Sequence, residues 1–377
     1  MKLSTSLAFG ASLLVACGGA SSERADRQAR DRDYALAERA FSERRDDEAE
    51  RRFVAIIGQR QHVAPAEAAL SQYRVAELRE RALQLDEAEA AYAEVERFAV
   101  ADRTALARYR LARLKLERRA DASGAYAMLR EVVLQFPETG AADRACKDLA
   151  IRRTPTNDVD VKLDREVVDF LGTFAEAHPD SPVADNALFW KAYVLVYRLG
   201  DLGAARVVLH QFVGRYFLRP LVDDALWLLA SIERRQGRYR EAILVYEAQL
   251  DFRHEQDSLF GSYRSRRLDD ASAAAGAVAF HGLRDFERAE RAYRDLLLDF
   301  GSSVLRDDAY WGLCAARFAR GDVEGARAAA TDLLTERADS RHARAARAFL
   351  AGTGPAMSPD EHKIRSPLAD PFVRGEM

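Results

Sequence analysis

Eight short phrases recur along this 377-residue chain at nearly fixed intervals. Three are clear: Gly237-Arg238-Tyr239-Arg240-Glu241-Ala242, Arg284-Asp285-Phe286-Glu287-Arg288-Ala289 and Gly321-Asp322-Val323-Glu324-Gly325-Ala326. Weaker copies end at Ala49, Ala88, Ala125, Val167 and Ala205, and the eight terminal residues serve as anchors separated by 39, 37, 42, 38, 37, 47 and 37 residues. A period in this range belongs to stacked helical hairpins, each burying its apolar face only against its neighbours. Alanine, leucine, arginine and glutamate dominate while glycine and proline are sparse, which suits helix throughout. The expected fold is all-α, a solenoid of about eight antiparallel helix pairs.

The hairpin ending at Ala242 shows how one copy works. Asp223-Asp224 suits a helix start, and Leu226, Leu229 and Ala230 then share one helical face. Gly237 breaks that helix. Ala242 and Tyr246, four apart, face inward on the second helix, the small residue letting the axes approach and the ring filling the gap beyond. Phe53, Tyr92, Leu129, Leu171, Leu209, Tyr293 and Ala330 stand four residues after the other anchors. Twelve residues before their anchors, Ala230 and Cys314 supply the small side chain a first helix needs, so Cys314 reads as a packed, inert thiol. A linear stack keeps Cys146 apart from it, so no disulfide is expected.

These residues resemble the tetratricopeptide repeat, whose pairs carry a small residue in the first helix and an alanine followed by an aromatic in the second. The family's closing proline is matched by Pro137 and Pro179, whereas Gln61, Val100, Phe217, His254, Gly301 and Ala338 replace it elsewhere and leave those helix ends unspecified. The stretch His178-Pro179-Asp180-Ser181-Pro182-Val183-Ala184-Asp185-Asn186-Ala187-Leu188-Phe189-Trp190 looks like a hairpin joint of periplasmic tetratricopeptide lipoproteins. That group includes the β-barrel assembly lipoprotein and the Tol-Pal-associated division coordinator. The resemblance implies a right-handed stack that binds a protein or peptide partner, by way of a groove lined mainly by first helices, and needs no cofactor.

The N-terminus reads as a targeting segment. Lys2, the short apolar run Leu7 to Ala16 and the ending Leu14-Val15-Ala16-Cys17 resemble a bacterial lipoprotein signal, the run being too short to span a bilayer. By that resemblance residues 1–16 are removed and Cys17 is acylated, tying the chain to the periplasmic face of the outer membrane; Gly18 lacks the aspartate that retains such proteins at the inner membrane. An ordinary secretory peptide with an incidental cysteine is the alternative. Residues 17–32 read as a flexible tether, 33–151 as N-terminal repeats, 152–159 as a hinge, 160–351 as C-terminal repeats, and 352–377, with four prolines, as a disordered tail. The hinge follows from the long interval before Val167, where Pro155 falls in the expected first helix.

The other long interval carries an insertion, residues 253–267. Its Phe260, Tyr263, Arg264, Arg266 and Arg267 are the candidate partner-binding residues, with a plain surface loop as the alternative. Catalytic motifs are missing: no P-loop, Gly-x-Ser-x-Gly or His-Glu-x-x-His occurs, and seven histidines are scattered without metal-ligand spacing. The formal charge is −3 with acids and bases interleaved, so no basic stripe argues for nucleic acid. No enzyme activity, cofactor or metal is expected. The function expected is a lipid-anchored envelope scaffold, either in outer-membrane protein assembly or in coordinating envelope constriction or cell-wall synthesis, with a cell-wall enzyme or its accessory as the further alternative.

Overall fold

The computed structural model describes residues 31–59, 63–119, 121–151, 160–255 and 267–352, which are almost wholly helical with no strand among them. The helices run in the order the anchors require. They are α1 (31–42) with α2 (Asp46–Gly58), α3 (Pro65–Arg81) with α4 (Leu85–Glu94, then a 3-10 turn Val95–Phe98), α5 (Ala101–Arg118) with α6 (Ala122–Gln135), and α7 (Gly140–Ile151) followed by α8 (Val161–Ala177). Then come α9 (Ala184–Tyr197) with α10 (Leu202–Tyr216), α11 (Val222–Arg235) with α12 (Tyr239–Glu255), α13 (Leu268–Ala277, running into a π-helix Val278–Leu283) with α14 (Phe286–Asp299), and α15 (Arg306–Ala319) with α16 (Val323–Glu336). A short α17 (Ala343–Leu350) comes last, without a second helix among the described residues. The chain is thus an all-α helical-repeat protein of the solenoid type.

Two compact units divide it: Met1–Asp160 with Glu176–Ala184, and Val161–Ala175 with Asp185–Met377. Each has its own apolar core, one running from Ala37 to Leu114 and the other from Ala230 to Ala346. The helix expected around Pro155 lies earlier, as α7, and ends at Ile151; Pro155 and the rest of 152–159 lie outside the described residues, as do Cys17 and most of the tether and tail.

All eight anchors are 0% exposed, and the residue four further on is at most 3% exposed in every hairpin. The turns before six of the eight anchors share one device. Five residues ahead, Arg44, Leu83, Gly200, Gly237, Arg284 and Gly321 all take positive φ, between 56° and 86°. This left-handed step ends the first helix, and glycine alone adopts it without a Cβ clash. Leu83 therefore sits in a conformation that costs a side chain about 1 kcal/mol or more, and it is 66% exposed, so its leucine packs little in return. Leu83→Gly is expected to raise stability by about 0.5–1 kcal/mol in urea denaturation. A loss on this substitution would mean the turn is not where the strain lies.

The turns come in two lengths, which a single offset from the anchor conceals. In four of them a backbone N–H bonds a carbonyl five residues back: Arg45 to Ala40, Gln84 to Arg79, Arg238 to Glu233 and Asp322 to Arg317. In three, Asp121 to Lys115, Asp201 to Leu195 and Asp285 to Ala279, the carbonyl is six back. The small first-helix residue moves accordingly. It stands twelve before the anchor at Ala37, Ala76, Ala230 and Cys314, and thirteen before it at Ala112, Ala192 and Gly276. Each long turn also carries an aspartate whose side chain caps the second helix, Asp121 to the Gly124 N–H, Asp201 to Ala204 and Asp285 to Arg288. Second helices end without help from proline: α6, followed by Pro137, and α14 and α16, followed by Gly301 and Ala338, all stop ten residues past the anchor.

Candidate interaction surface

The residue after the anchor faces the next hairpin. Where it is charged it pairs across the boundary: Glu50 with Arg79 at 3.0 Å, Glu89 with Arg119 at 2.8 Å, Arg206 with Glu233 at 2.6 Å and Glu290 with Arg317 at 3.0 Å. The same geometry thus accepts either polarity. Glu233 is the deepest of these groups, 0% exposed, with Arg238 on its other oxygen and His210 Nε2 at 3.5 Å. Burial opposes its ionisation, but Arg238 and Arg206 overcome that and hold the carboxyl below the ordinary carboxylate range.

Joints between hairpins are tied back by an acid pair at the start of a first helix. Ser303 Oγ donates to Asp269 Oδ2 at 2.6 Å, and Ser340 Oγ to Asp307 Oδ2 at 2.8 Å. In two such pairs the second acid takes a cation, Asp224 with Arg267 at 3.2 Å and Asp308 with Arg341 and His342. Asp307, Asp308 and His342 lie within 4.8 Å of one another and include metal-ligating types. Their acceptor capacity is already used by Ser340, Arg341 and the His342 ring, itself stacked on Trp311 at 5.8 Å. This cluster closes α17 onto α15. At the same joint Arg306 and Tyr310 draw the Glu336 carboxyl down to about 2, the Arg306 hydrogen bond being the largest cause.

An aromatic recurs on the first helices, fifteen residues before the anchor in hairpins with short turns and sixteen in those with long ones: Tyr34, Tyr73, Tyr109, Phe189, Trp227 and Trp311. Several hold charged partners. Tyr109 Oη donates to Asp148 at 2.9 Å, Arg113 joins the same carboxylate at 3.0 Å, and the Arg267 guanidinium lies 5.7 Å from the Trp227 ring centre.

Arg267 is the only insertion candidate among the described residues; Phe260, Tyr263, Arg264 and Arg266 lie outside them. It is 9% exposed and engaged with Asp224 and Trp227, so its charge is met within the chain. Cys146 and Cys314 are buried thiols outside any disulfide, and burial pushes Cys314 up to about 12, keeping it protonated and inert. A recess of about 190 Å³ between α1, α2 and α3, bordered by Asp33, Arg52 and Glu67, is smaller than the roughly 300–1,000 Å³ of ligand pockets.

Exposure on the first helices is uneven, open along α1 and nearly closed on α9 and α11. No residue of α9 is exposed, and on α11 only Arg235 is. Alanine-rich α13 is short of side chains that could reach past its neighbours. Second helices carry open faces as well, with Val207 on α10 and Leu244 on α12 exposed at the same place, two residues past the anchor. No helix among the described residues is long and apolar enough to cross a membrane.

No protein-family profile matches the chain, and no curated protein matches it in sequence. Solved structures resemble it at low identity. PilW, a type IV pilus biogenesis factor, aligns at TM-score 0.37 and 13% identity over 64% of this chain and 97% of its own. Naa15/Naa10 bound to HypK-THB aligns at 0.41 and 16%, over 92% of this chain and 46% of that one. The TPR domain of P58(IPK) aligns at 0.26 and 12%, over 93% and 99%. At these scores the likenesses add nothing to what the helix pairing itself establishes.

Proposed function

We propose that the chain is a non-catalytic scaffold for protein partners, held at the periplasmic face of a bacterial outer membrane by acylated Cys17. The observation that carries the scaffold reading is the eightfold packing register, in which every anchor and its follower is buried and the open surface is a series of repeated helix faces. The charged groups that come together bind one another across hairpin boundaries, which leaves them as structural ties. Val207 and Leu244, matched apolar positions on successive second helices, are the expected point of contact with a partner helix or extended peptide. The anchor and the compartment are supported by the lipobox-like ending at Cys17 alone.

Outer-membrane protein assembly is the preferred role, and coordination of envelope constriction or cell-wall synthesis is the second, since the joint at His178 to Trp190 resembles lipoproteins of both kinds. Photocrosslinking from positions 207 and 244 of the full chain, in its own membranes, is expected to trap a barrel-assembly component. A partner that gathers at division sites would favour the second role, and no protein adduct from either position would sink the scaffold reading. Cys17→Ser is expected to release the protein from the membrane fraction; unchanged retention on sedimentation would remove the lipid anchor.

A further inference from the structure

The joint between α10 and α11 differs from four of the other joints. Four joints place a hydroxyl where the chain turns into the next first helix: Thr139, Ser181, Ser303 and Ser340 accept the backbone N–H of Ala142, Val183, Leu305 and His342. In this one the corresponding residue is Arg219, whose carbonyl takes the Val222 N–H as those of Ser181 and Ser340 take Ala184 and Ala343. The hydroxyl is gone and the side chain points to solvent. Beside it Leu218 is 83% exposed, more than any other large apolar residue among those described, and Phe217 is 39% exposed. Arg215 and Arg219, both exposed, flank the pair, and neither side chain has a hydrogen bond or ion pair among the described residues.

We infer that this joint, residues 215–219, is a membrane-contact loop that sinks Leu218 and Phe217 into an anionic phospholipid surface while Arg215 and Arg219 meet the headgroup phosphates. An apolar tip between two unpaired cations matches the bilayer interface, where acyl chains lie beneath a negative headgroup layer and arginines reach back to it. A protein partner fits less well. A stable interface needs about 800 Å² from each side, and a protruding tip of five residues has neither that area nor a concave wall. Val304 and Leu298 are also exposed, at and just before the α14–α15 joint, but Arg306 there is already held by Glu336, so that joint is a natural control. The inference goes beyond the proposed scaffold and does not require Cys17 to be acylated.

The test uses the full chain carrying Cys17→Ser, so that anchor and loop fail separately. Leu218→Cys or Val304→Cys is labelled with an environment-sensitive fluorophore, Cys146 and Cys314 being buried. Vesicles of phosphatidylglycerol and phosphatidylethanolamine in equal parts are expected to raise the emission at 218 several-fold with a blue shift, to leave 304 unchanged, and to do so less at high salt. Vesicles of phosphatidylcholine alone are expected to give little response. Arg215→Glu with Arg219→Glu is expected to abolish it, with the helical circular dichroism retained. No response at 218, an equal response at 304, or a response that survives the charge reversal would each overturn the inference; so would a loop that crosslinks to a protein but ignores vesicles.

Discussion

Tyr293→Ala is expected to lower the stability of the C-terminal unit by about 3–5 kcal/mol, read from urea denaturation of the full chain. The ring belongs to α14 and lies between two neighbours' backbones, at Gly276 of α13 and Gly312 of α15. A Cβ built on either glycine would come within 2.9 Å or 2.5 Å of ring atoms, so both are glycine because the tyrosine is there. Removing the ring leaves a slot with backbone on two sides and no nearby side chain free to rotate into it, the case in which a cavity collapses least. Because each hairpin meets only its neighbours, the damage should be local. Amide exchange is expected to rise first in α13, α14 and α15. A loss below about 1 kcal/mol would mean that the ring is not the wedge between these helices.

The double substitution Arg206→Met with Arg238→Met is expected to cost a similar amount, about 3–5 kcal/mol at neutral pH, because it strands the buried Glu233 carboxylate with His210 as its only basic neighbour. The pH dependence separates this from simple loss of packing. In the parent protein Glu233 is held below its ordinary range when folded, so its contribution is present above the unfolded value and is lost as pH falls through the lowered folded value. Without the two arginines, burial outweighs the lone His210 ring and raises the folded value above the unfolded one. The variant then gains stability relative to the parent as the solution is acidified and the stranded group takes up a proton. Stability curves of the two proteins should converge toward acid pH. Parallel curves would assign the loss to the methylenes of the arginines.

The anchors were legible because packing two helix axes closely leaves few choices of residue, and Ala242, Ala289 and Ala326 repeat that choice openly. The position just after each anchor was harder to read. Its tie is made by Glu50, Glu89 and Glu290 but by Arg206 in the hairpin between, and a contact that works with either sign leaves no constant letter. The two turn lengths hid for a different reason. The left-handed residue keeps its place before the anchor, while the extra residue enters upstream of it and shifts only the small residue and the aromatic of the first helix. Asp223-Asp224 reads well enough as a helix start, yet its second task, holding Arg267 and Gln249 from farther along the chain, is tertiary and has no local mark. The burial of α9 and α11 was hidden on the same ground, since how far neighbouring hairpins close over a first helix depends on side chains some forty residues away.

The ties across hairpin boundaries also bear on how the molecule would respond to being pulled. They join residues about thirty to forty positions apart, from Glu50 with Arg79 to Asp224 with Arg267, so none among the described residues clasps the whole of a unit. Tension applied along the chain would open one boundary at a time and release a hairpin at each step, on the order of 120 Å of extended backbone for a repeat of 37 residues. A protein built this way yields in increments and recovers in increments. Drawn taut between two attachment points, it behaves as an extensible strap.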